Sequence, residues 1–131
     1  MKKVYLGLFL LLCAARTFAT DDPVIKVAAI IRQAKITELT ALMAENVEIS
    51  IIEDDNTYPK SQAMGVLNKF FGQNKPLSVK ILHQINSNPQ YHFGVLLVNT
   101  DKGVYRVALT FKENNGIFQL IELRIEKGKV K

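Results

Sequence analysis

The sequence predicts an α+β fold, with helices at the front of the chain packed on one face of a curved antiparallel sheet. Three observations predict it. Apolar residues recur at helical spacing between Val24 and Phe71. From Leu77 to Glu126 the chain breaks into four extended runs with strand alternation. Short linkers rich in turn-forming residues join those runs, which makes neighbouring strands antiparallel hairpins. No repeat, low-complexity segment or linker divides residues 20–131, so they are expected to form one domain.

Asp22-Pro23 opens the first helix: Asp caps well, and Pro suits the first helical position. Val24, Val27, Ala28 and Ile31 then make one apolar face, with Lys26, Arg32, Gln33 and Lys35 off that stripe. Thr37 is the expected cap of a second short helix carrying Leu39, Leu42 and Met43. From Asn46 the period changes. Val47, Ile49 and Ile51 alternate with Glu48 and Ser50, the pattern of a strand with one buried face. Glu53 to Asn56 is a turn, and Tyr58 falls in a short return strand before Pro59. Ser61 is read as the start of the next helix. Its stripe is Ala63, Leu67 and Phe70, widened by Met64 and Phe71, and Gly72 closes it.

The four extended runs are Leu77 to Ile85, Tyr91 to Val98, Val104 to Phe111 and Ile117 to Glu126. In the third, Tyr105, Val107, Leu109 and Phe111 form the expected core face against Arg106, Ala108 and Thr110. The second is apolar on both sides, with Phe93, Val95 and Leu97 on one and Leu96 and Val98 on the other. Such a strand needs cover on both faces. Leu96, Leu97 and Val98 are therefore the expected contacts of a homodimer built on the outer face of the sheet.

Ahead of the domain, Lys2 and Lys3 precede an uncharged run from Val4 to Ala15, which ends in Thr17-Phe18-Ala19. This is the layout of a signal peptide over residues 1–19, cut before Thr20. A run of about a dozen apolar residues is shorter than the roughly 20 that a membrane span needs, so no stable span is expected after cleavage. The expected location is exported, periplasmic or secreted. Cys13 follows Leu12 where a lipid-modified cysteine would follow a small residue, so it is read as part of the discarded tag.

Removing Lys2, Lys3 and Arg16 leaves fourteen basic residues against twelve acidic ones, a net charge of +2. Those cations are scattered, and nucleic-acid binding is not expected. The only cysteine is Cys13, so the domain has no disulfide and its stability must come from apolar burial.

Several short runs carry a family resemblance. They are Tyr58-Pro59-Lys60-Ser61-Gln62-Ala63, the pair Phe70-Phe71, His83-Gln84, Gly94, and the ending Leu123-Arg124-Ile125-Glu126. On these the chain resembles the nuclear-transport-factor-like, or cystatin-like, α+β cone, and within it a family of exported bacterial proteins known only as a domain of unknown function. The resemblance implies a fold and pairing through the sheet, and no activity.

Enzymes of the cone fold place a carboxylate base in an apolar pocket between sheet and helices. Here Glu48, Glu53, Asp54 and Asp55 read as solvated, because one alternates with a core face and three sit in a turn. Glu122 and Arg124 share a strand face at i and i+2. His83 shares a face with Val79, Ile81 and Ile85 if its strand alternates regularly, and His92 falls at an exposed strand start. With Tyr58, the residues His83, Glu122 and Arg124 are the candidate ligand contacts. Two histidines without a third ligand make no metal site, and no cofactor is expected. No nucleophile elbow, phosphate loop or dinucleotide fingerprint occurs. The Gln-x-Val-x-Gly hairpin of cystatin-type inhibitors is also absent. No catalytic residue is assigned.

A small exported binding or interaction module follows as the expected function, with a small ligand or an envelope protein as partner. The alternatives are a pocket enzyme of isomerase or dehydratase type, with His83 or Glu122 as base, and an accessory subunit of an envelope assembly. A buried carboxylate in a closed pocket would mark the enzyme; an open or filled interior would mark the binding module.

Overall fold

A computed structural model describes residues 22–128, so the segment read as a signal peptide lies outside the described residues. Helix α1 (Pro23–Arg32) leads into a 3-10 helix (Ile36–Leu42). The hairpin of β1 (Met43–Ile51) and β2 (Asp54–Pro59) follows, and then α2 (Lys60–Gln73). The rest is β3 (Pro76–Ile85), β4 (Tyr91–Thr100), β5 (Gly103–Asn114) and β6 (Ile117–Lys127). All six strands join one sheet in the order β2-β1-β6-β5-β4-β3.

Strands β3 to β6 form the expected antiparallel meander. Its last turn shows how the local sequence sets it. Asn115 and Gly116 both have positive φ, as a two-residue type I′ loop demands. The all-antiparallel expectation needs one correction: β1 runs parallel to β6. The chain between them, through β2, α2 and the meander, supplies the long connection that parallel neighbours require. Register shifts interrupt the β1–β6, β3–β4 and β5–β6 ladders. Bulges of this kind bend strands, and the sheet curves.

Helix α1 lies over β3 and β4, and α2 lies over β1 and the 3-10 helix. The start of α1 is as expected: the Asp22 carboxylate accepts from the Val24 N–H at 2.8 Å. Four other boundaries differ. The first hairpin turns at Ile52-Glu53, so Asp54, Asp55 and Asn56, expected in the turn, belong to β2. Thr37 lies inside the 3-10 helix, whose N-cap is Lys35, and Met43 opens β1. Helix α2 starts at Lys60 behind Pro59, whose fixed φ of −61° suits an extended N-cap, so Ser61 is its second residue. Gly72 lies within α2. Asn74 ends that helix, with both its N–H and its Nδ2 donating to the Phe70 carbonyl.

The interior is filled with apolar side chains. Val24, Val27 and Ile31 of α1 and Ala63 and Leu67 of α2 are sealed against Val47, Leu96, Val98, Val107 and Phe111 of the sheet. Phe70 meets Phe71 and Tyr105 edge-to-face, each at 5.1 Å between centroids, and the Tyr105 hydroxyl donates to Asn74 Oδ1. Gly94 lets α1 come close: a Cβ there would lie 2.6 Å from Val24 Cγ2.

The inner position of Leu96 and Val98 corrects the expected homodimer contacts. Both are fully buried under the chain's own helices, and only Leu97 of the three faces outward.

Candidate functional site

A cleft of about 330 Å³ opens between α2 and the β1–β2 hairpin. Its construction follows from two periods. Val66, Lys69, Phe70 and Gln73 fall at i, i+3, i+4 and i+7, so one stripe of α2 forms a wall. Ile49 and Ile51 of β1 point to the same side of the sheet two residues apart. Tyr58 pairs with Val47, and Asp54 pairs with Ile51, which puts both on that side. Ile49, Ile51, Val66 and Phe70 give it an apolar floor, and Tyr58, Asp54, Lys69 and Gln73 complete the lining. Asp54 also accepts from Asn56 Nδ2 at 3.1 Å.

Of the four residues put forward as ligand contacts, only Tyr58 lines this cleft. The other three lie on the opposite face of the sheet. Glu122 pairs with Thr110, and Arg124 pairs with Ala108, both outward positions. The two side chains meet at 3.8 Å, Arg124 reaches Glu126 at 3.8 Å, and Thr110 Oγ1 donates to Glu122 Oε1 at 3.3 Å. Half-exposed pairs of this kind contribute at most about 1 kcal/mol.

His83 departs from its expected face. The β3–β4 register shifts between Ile81 and His83: Ile81 pairs with buried Leu96, whereas His83 pairs with Val95 and Ile85 with exposed Phe93. The extra residue, Leu82, turns the rest of the strand over. His83 is therefore exposed on the outer face and is separated from Val79 and Ile81. It stands on β3 and Glu122 on β6, three strand spacings or about 14 Å away. The two cannot act on one small substrate group together. His92 also departs from expectation: it is half-buried, with its ring stacked on Phe118 at 4.0 Å.

Among the described residues, Ser50 and Thr100 are the buried polar side chains, and no carboxylate is buried. No group of three or more His, Cys, Asp or Glu among those residues could hold a metal ion. No helix there is long and apolar enough to cross a membrane.

The cleft wall at Val66, Lys69 and Gln73 was not foreseen. The signal was present: the stripe through Phe70 extends in both directions at helical spacing. What it faces depends on how the hairpin folds back, and that is a tertiary fact.

Residues 24–126 match the family model described as a domain of unknown function, DUF4783. A crystal structure of a DUF4783 family protein from Bacteroides ovatus is 21% identical and superposes with a TM-score of 0.76, over 79% of this chain and 94% of that one. An uncharacterized protein with a cystatin-like fold from Caulobacter vibrioides gives 10% identity and a TM-score of 0.61, over 82% and 86%. An NTF2-like protein from Cytophaga hutchinsonii gives 12% and 0.59, over 79% and 90%. At these identities the likeness is one of fold. None of the curated proteins matches the chain.

Proposed function

The chain belongs to the DUF4783 family, a domain of unknown function, and within it we propose that this protein is an exported, non-catalytic module that binds a small ligand in the cleft between α2 and the β1–β2 hairpin. One observation carries this reading. The interior of the cone is packed with apolar side chains, while the cleft at its edge keeps an apolar floor, with Tyr58, Asp54, Lys69 and Gln73 completing the lining. Its size lies in the range of small-ligand sites, which run from roughly 300 to 1,000 Å³. A binding role agrees with the absence of a buried carboxylate among the described residues, since a pocket base needs an apolar setting to shift its proton affinity. NMR titration with a fragment library tests the reading. Saturable shifts confined to Ile49, Tyr58, Val66 and Phe70 are expected. Shifts clustered elsewhere, or none at all, would count against it.

Export is part of the proposal and rests on Lys2, Lys3, the uncharged run and Thr17-Phe18-Ala19. Mass spectrometry of protein from the envelope fraction of a bacterial host should find a chain starting at Thr20. An intact Met1, or a lipid on Cys13, would overturn it.

A second reading, pairing of two copies through the outer face, is favoured by a separate observation. Phe93 and Ile85 pair across β4 and β3 and remain 38% and 54% exposed, and Tyr91 stacks on Phe93 at 6.2 Å. A second copy seated on this end of the face would cover Tyr91, Phe93 and Ile85 and leave the Leu97 end of β4 open. Its test is the oligomeric state in solution.

A further inference from the structure

At the end of the outer face away from Phe93 lies a groove of about 530 Å³. One transverse row of the sheet builds it. Lys80 of β3 pairs with Leu97 of β4, Leu97 with Arg106 of β5, and Arg106 with Glu126 of β6. Lys80 and Arg106 thus stand two strand spacings apart, about 10 Å, with Leu97 between them. Leu82, the extra residue of the β3 bulge, adds a second leucine to the lining, and Lys127 and Gly128 at the end of β6 close it. The far wall is fixed by backbone: the Gly128 N–H donates to the Val104 carbonyl at 2.8 Å.

The charge of this groove is unbalanced. Two cations of this row, Lys80 and Arg106, face one carboxylate, Glu126, and that carboxylate is shared with Arg124 outside the groove. Among the described residues the ion pairs are Lys102–Asp101, Arg124–Glu122 and Arg124–Glu126, and none includes Lys80, Arg106 or Lys127. Both long cationic side chains can lay their stems along Leu97 and present their heads to one group above it. A guanidinium and an ammonium converging on one point favour an anionic oxygen group. The two outward leucines favour a hydrocarbon body attached to it.

We propose that this groove binds a small anionic amphiphile, a single phosphate or carboxylate head on a short hydrocarbon body. It is concave and of small-ligand size, which suits one soluble molecule better than a membrane surface. The site is independent of the cleft behind α2, which lies on the other face of the sheet, so either can fail without the other.

Isothermal titration calorimetry tests it on protein purified after expression of the full chain. The probes are octyl phosphate below its micelle concentration, octyl glucoside with the same chain and a neutral head, and inorganic phosphate. Octyl phosphate is expected to bind saturably, with each of the other two at least about tenfold weaker, since a hydrogen bond to a charged group or a buried short chain is each worth that much or more. The double variant Lys80→Gln, Arg106→Gln should lose at least about tenfold for octyl phosphate. Its melting temperature should stay that of wild type, because both side chains are exposed. Equal binding of all three probes would overturn the proposal, as would unchanged affinity in the double variant. Absence of saturable binding would overturn it too, and so would binding seen only with phosphatidylglycerol vesicles.

Discussion

Two faces of one sheet meet opposite fates. On β4, Leu96 and Val98 are sealed from solvent beneath the helices, while Phe93, one position out of phase with them, stays 38% exposed. Val95 and Leu97 share its outward side and are half-buried by their neighbours on the sheet. The residue types on the two sides are nearly the same. Burial on the inner face follows from strand alternation and the amphipathic stripes of α1 and α2, and it accounts for stability. Apolar side chains on the outer face add nothing comparable to the fold of a single copy. Hydrophobicity alone therefore does not separate sealed from exposed positions here; the side of the strand does.

Paired substitutions on the two faces break this comparison most severely if it is wrong. Leu96→Glu puts an unpaired charge into a sealed interior, and several kcal/mol of destabilisation should leave the chain unfolded by circular dichroism at 25 °C. Phe93→Glu, three residues away on the other side, should melt within about 0.5 kcal/mol of wild type at concentrations too low for two copies to pair. Equal damage from both would mean that the outer side is core as well.

Phe70→Ala sharpens the inner side. The ring is buried, with Phe71 and Tyr105 against its edges, so urea denaturation should show a loss of about 3–5 kcal/mol. A loss under about 1 kcal/mol would mean that α2 does not pack on the sheet through this residue. Gly94→Ala comes next. The added methyl collides with Val24, and the expected cost is about 1–3 kcal/mol as α1 shifts off β4. The smallest effect belongs to the outer ion pairs. Glu122→Gln should change stability by less than about 1 kcal/mol, because the pair with Arg124 is half-exposed.

Much of the inner face was legible from residue periods. The stripes through Val24 and Leu67 and the alternation through Val107 mark one buried side, and Asn115-Gly116 marks its turn. Three features were not. The parallel contact of β1 with β6 is a matter of which strands become neighbours, and alternation carries no information about that. The bulge at Leu82 is a single unpaired residue, yet it turns His83 from the face of Val79 and Ile81 to the outer one. The cleft needs α2 and the returning hairpin in register, so Tyr58 could be named from sequence while its neighbours Lys69 and Gln73 could not.

Sedimentation equilibrium at micromolar concentration tests most directly whether the outer face is a working surface. Burial of its apolar area stabilises pairing by roughly 25 cal/mol per Å² before the entropic cost of association is subtracted. Wild-type protein should sediment as a dimer, and folded Phe93→Glu protein should sediment as a monomer. A wild-type chain that stays monomeric at high concentration would contradict the account, and so would a Phe93→Glu chain that remains dimeric.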